Sequence, residues 1–98
     1  MEIKKLQEKS VEAVKQRLSI NQIPLDDELL TIHLMEEAGE LAHQIMNKKL
    51  KRREIDLQNL GEEISDCMIL LMNLANIHNI DLEKAILDKI KDIKNKKA

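Results

Sequence analysis

The sequence contains no Phe, Tyr or Trp. Proteins that bind single-stranded nucleic acid stack bases on aromatic platforms, so the chain lacks the main device of that class. A net charge of -2, with both signs intermixed, removes the general attraction to a nucleic-acid polymer as well. The single cysteine, Cys67, excludes an internal disulfide or a multi-cysteine zinc site. It lies in an apolar run without a basic neighbour, which suits a buried structural thiol better than a nucleophile. That run, Cys67 to Met72, is the longest apolar stretch and falls far short of the roughly 20 residues of a membrane span. The opening MEIKKLQEKS is charged throughout, without the apolar stretch of a signal peptide, so a cytoplasmic location with no membrane partner is expected.

What remains is a chain of 98 residues, 43% hydrophobic, which predicts a single domain over residues 1–98 with a real core. Only two glycines and one proline interrupt it, and the apolar spacing is helical from end to end. A first helix is predicted from Ile3 to Leu18, with Ile3, Leu6, Val11, Val14 and Leu18 as its stripe, and a break before Pro24. A second helix, capped by Asp26, should run to Asn47 and fray in the basic stretch Lys48 to Arg53. Asp56 caps a third helix reaching His78. Asp81 caps a fourth, with Leu82, Ala85, Ile86, Ile90 and Ile93 on its apolar face. The expected fold is an all-α, four-helix up-down bundle.

The third helix bears on assembly. Cys67 to Met72 covers every side of a helix, because successive residues turn by about 100°. A helix apolar all round needs cover all round, which a single layer of short helices does not provide. A homodimer is the simplest way to supply it.

The second helix carries Glu36-Glu37-Ala38-Gly39-Glu40 and the third Glu63-Ile64-Ser65-Asp66. Residues three apart share one side of a helix, so Glu37 and Glu40 converge, as do Glu63 and Asp66. Core-type residues flank both pairs, which sets the acids beside the apolar seam. A short connection favours antiparallel packing, and the two pairs then face each other. Four such carboxylates repel one another and call for a cation. Oxygen donors without cysteine favour Mg2+, with Mn2+ as its substitute, over zinc or copper. One competing pattern is Glu40-x-x-His43, which matches half of a di-iron helix-bundle motif. His33, one turn before Glu37, is either a partner of that acid or a partly buried helix histidine.

The run His33-Leu34-Met35-Glu36-Glu37-Ala38-Gly39-Glu40-Leu41-Ala42, followed by Glu63-Ile64-Ser65-Asp66, resembles the MazG-type nucleoside triphosphate pyrophosphohydrolases. Their hallmark is EExxE and then ExxD on adjacent helices, and the likeness extends over about Leu29 to Lys91. The resemblance implies a dimeric or tetrameric helical bundle that cleaves a nucleoside triphosphate between the α and β phosphates. It makes Glu37, Glu40, Glu63 and Asp66 the magnesium ligands, with Glu37 or Glu40 also handling the attacking water. Lys48, Lys49, Arg52 and Arg53 are candidates for phosphate contacts, with a solvated basic loop as the alternative. Asn73, seven residues after Asp66 and on the same face, is a candidate for binding the nucleotide, with a buried interhelical hydrogen bond as the alternative. Many relatives stack the base on aromatic residues, and none is present here. A non-enzymatic, metal-stabilised oligomerisation module is therefore the competing expectation, with a di-iron carboxylate protein behind it.

Overall fold

The computed structural model describes residues 2–21, 26–51 and 54–96, and within them all side chains except those of residues 19–21, 48 and 51. Among the described residues there are four helices and no strand: α1 (Ile3–Asn21), α2 (Asp27–Lys51), α3 (Leu57–Ile77) and α4 (Leu82–Asn95). None of these helices is long and apolar enough to cross a membrane. The expected break at Pro24 lies outside the described residues.

The helix starts follow the acid caps. Asp26 accepts a hydrogen bond from the Leu29 amide at 2.7 Å, Asp56 from Asn59 at 3.1 Å and Asp81 from Lys84 at 3.1 Å. Each satisfies an amide that the helix itself leaves without a partner. Two helix ends lie further on than expected. α1 continues to Asn21, and α2 runs through Lys48, Lys49 and Leu50 to Lys51, so that much of the basic stretch is helix and not loop. Lysine and leucine are good helix formers, and lysines suit the negative end of the helix dipole.

α3 and α4 are joined by a tight turn. The Ile80 amide donates to the Ala75 carbonyl at 2.9 Å and the Asn79 amide to that of Asn76 at 3.0 Å. Asn79 takes a left-handed φ of 55°, which asparagine tolerates better than most residues.

α2 packs antiparallel on α3, α1 lies on the same helix, and α4 has its main contact with α1. At the α1–α3 seam the expected stripe needs correction. Of the expected stripe, Val11 is buried and Ile3, Val14 and Leu18 are half-buried, but Leu6 is 45% exposed. Among the described side chains of α1, Gln7 and Ser10 are buried beside them. The polar pair is buried because both side chains are bonded. Gln7 donates to the Ile80 carbonyl at 3.1 Å and accepts from the Leu82 amide at 3.3 Å. The Ser10 hydroxyl accepts from the Asn73 side-chain amide at 3.1 Å. These bonds tie the start of α1 to the end of α3, an antiparallel register that brings Arg17 opposite the Asp66–Ile69 stretch.

The chain leaves much of its apolar surface uncovered. Met68, Ile69 and Leu71 of α3 are each about two-fifths exposed, and α4 buries no residue fully. The accessible surface is 8004 Å² and the radius of gyration 16.0 Å. A compact chain of this size would show about 5,800 Å² and about 13 Å.

Candidate metal centre

The antiparallel packing of α2 on α3 sets the two acid motifs against each other. Glu37, Glu63 and Asp66 each offer a carboxylate oxygen, and these atoms lie within 4.8 Å of one another. Glu37 and Glu63 are half-buried, while Asp66 is exposed. One oxygen of Glu37 and one of Glu63 are buried without any hydrogen-bond partner. The other side of Glu37 is occupied: its Oε1 lies 3.3 Å from His33 Nε2, one helical turn earlier.

Burial pushes the Glu63 carboxyl above its ordinary value, and contact with Glu37, the charge of Glu37 and that of Asp66 add to the rise. A hydrogen-bonding contact with Glu40 acts in the opposite direction. Glu40 is thus beside Glu63, although its carboxylate is exposed and outside the tight triplet. Cys67 is half-buried behind the acids. Burial raises its thiol pKa, and the charges of Glu37, Glu63 and Asp66 raise it further, so the group is held as an inert thiol.

Stranded carboxylate oxygens facing one another in a partly dry site are unstable alone and suited to a hard divalent cation. The donor set is oxygen only. His43, the histidine of the Glu-x-x-His pattern, is exposed and lies outside the triplet, as Glu40 does.

A cavity of about 680 Å³ opens beside the triplet, with Glu37 and Asp66 at its edge. Val14, Arg17 and Leu18 of α1 form one wall. Leu29, Leu30 and Ile32 of α2 and Ile69 and Leu70 of α3 supply the rest of its apolar lining.

The other candidates fall elsewhere. Asn73 shares the helix face of Asp66 but is 1% exposed, and its amide group donates to Ser10 and to the Ile69 carbonyl. These bonds fasten α1 to α3, while the Asn73 Oδ1 is buried without a hydrogen-bond partner. Lys49 is exposed twelve residues beyond Glu37, about 18 Å along α2 and away from the cavity wall at Leu29. The Lys48 side chain, Arg52 and Arg53 lie outside the described residues. Arg17 was not among the candidates. It is exposed on α1 and borders the cavity only through the register of α1 on α3, so its sequence position carries no signal.

Comparison with curated proteins and with solved structures gives no match. A family model does match: that of the MazG nucleotide pyrophosphohydrolase domain, over residues 26–97, which includes both acid motifs. With its helical fold and its facing EExxE and ExxD motifs, the chain belongs to the MazG nucleotide pyrophosphohydrolase family.

Proposed function

We propose that the chain is a magnesium-dependent nucleoside triphosphate pyrophosphohydrolase, releasing a nucleoside monophosphate and pyrophosphate. The observation that carries this reading is the pair of buried, unpartnered oxygens on Glu37 and Glu63 beside Asp66. Such a site has no stable partner in the protein itself, and a polyphosphate brings still more negative charge to it. Glu37, Glu63 and Asp66 would hold Mg2+, with Glu40 beside Glu63 outside that triplet, and Mn2+ would suit the same oxygens. Bound there, the cation neutralises phosphate charge and acidifies water.

The protein groups divide the remaining work. His33 fixes the orientation of Glu37. Glu40, exposed and outside the triplet, accepts the proton of the attacking water. The aliphatic part of the cavity takes the nucleoside and shields the reacting phosphates from bulk water. With no aromatic residue in the chain, the base is held by flat apolar contact without ring stacking.

We propose further that the working form is a homodimer or a dimer of dimers, which would cover the apolar faces of α3 and α4.

The direct test incubates the protein with each nucleoside triphosphate and Mg2+ and follows products by phosphorus NMR. Monophosphate plus pyrophosphate is expected, and Glu40→Gln should lower kcat by about 10²-fold or more while metal binding persists. No turnover of any nucleotide, with Mg2+ still raising the melting temperature, would instead establish a metal-stabilised module.

A further inference from the structure

The cavity beside the acids has one feature that metal binding does not use. Arg17 lies on its α1 wall, the only cation among the described lining residues, which also include His33, Glu36, Glu37 and Asp66 from α2 and α3. Two hydrogen bonds fix that placement, Gln7 to the Ile80 carbonyl and Asn73 to Ser10, which set α1 and α3 antiparallel with Arg17 across from Asp66–Ile69. Among the described residues Arg17 forms no ion pair, although carboxylates line the same cavity. Arg17 is exposed at the cavity edge, so its guanidinium is accessible to an anion that enters the cavity. It also lies in α1, ahead of residues 26–97 that match the family model.

We infer that Arg17 is a catalytic residue that grips the phosphate chain of the substrate from the wall opposite the acids. The inference rests on the proposed pyrophosphohydrolase reading and adds a cation supplied by the protein. A polyphosphate bridging the cavity would have metal-bearing carboxylates on one side and the guanidinium fork on the other. The fork matches two phosphate oxygens at once, and its fixed charge stabilises the negative charge that builds up as the bond to the leaving pyrophosphate breaks. Lysine would supply the charge without the fork. On this view α1 supplies a phosphate-binding cation of its own.

The test compares wild type with Arg17→Ala and Arg17→Lys, each checked for an unchanged melting temperature. Equilibrium dialysis in Mg2+ measures binding of pyrophosphate and, separately, of a nucleoside monophosphate. Turnover is measured with several nucleoside triphosphates. Arg17→Ala should weaken binding of pyrophosphate or of the monophosphate by about tenfold or more, and the affected ligand identifies the phosphate held. Turnover should fall by about 10²-fold to the same extent for every base, with partial recovery on adding guanidinium ion. Arg17→Lys should fall between the two. A loss confined to one base would make Arg17 a base reader and overturn the inference, as would unchanged binding of both phosphate ligands. If wild type binds pyrophosphate through Arg17 but turns over no nucleotide, the inference about Arg17 stands and the proposed function fails.

Discussion

Glu63 has one carboxylate oxygen buried and unpartnered, next to Glu37 and Asp66. Its raised pKa has a definite consequence for stability. Folded protein holds the Glu63 proton more tightly than unfolded protein does, so folding is favoured while that proton is bound. As pH rises from about 4.5 through the raised value, the unfolded state releases its proton first and the folded state loses stability. Metal-free wild type should therefore lose melting temperature across this window relative to Glu63→Gln. Adding Mg2+ at neutral pH should recover the loss in wild type and do much less in the variant. Thermal melts of both proteins from pH 4 to pH 8 check it. Asn73 is a second residue with a measurable role. Its amide bonds to Ser10 and Ile69 in a buried seam, so Asn73→Ala should cost about 1–2 kcal/mol, measured by urea unfolding.

Helices impose their own requirements. Gly39 and Gly61 lie within α2 and α3, and an added Cβ would meet nothing within 4 Å at either position. Within one chain, glycine at these sites only weakens the helix, so Gly61→Ala should stabilise by about 0.5–1 kcal/mol in urea titrations. A loss of stability at Gly61 would mean that another copy packs closely there. Removing a cap works in the opposite direction: Asp81→Ala strands the Lys84 amide and should cost about 1 kcal/mol. The sequence showed the helix starts well because Asp26, Asp56 and Asp81 act locally. Helical periodicity and a short connection also account for Glu37 meeting Glu63 and Asp66, although Glu40 stands outside that triplet. The sequence concealed what depends on tertiary partners. Gln7 and Ser10 look like surface residues until the α3–α4 turn and Asn73 are brought against them. The cavity wall at Arg17 depends on the register of α1 on α3, which no local pattern specifies.

The whole chain is more open than a compact single chain of its mass. It exposes 8004 Å², about 2,200 Å² above what its mass predicts. A stable interface removes about 800 Å² from each partner, so this excess is ample for one. Light scattering behind size exclusion should give at least twice the 11.4 kDa chain mass, and the melting temperature should rise with protein concentration. A monomer at micromolar concentration with a concentration-independent melt would refute this.

Gln7 closes the corner between α3 and α4 by bonding both the Ile80 carbonyl and the Leu82 amide. A boundary drawn by family likeness begins at residue 26 and discards that side chain, along with Ser10 and Arg17. The segment that likeness identifies is therefore smaller than the unit that hydrogen bonding holds together.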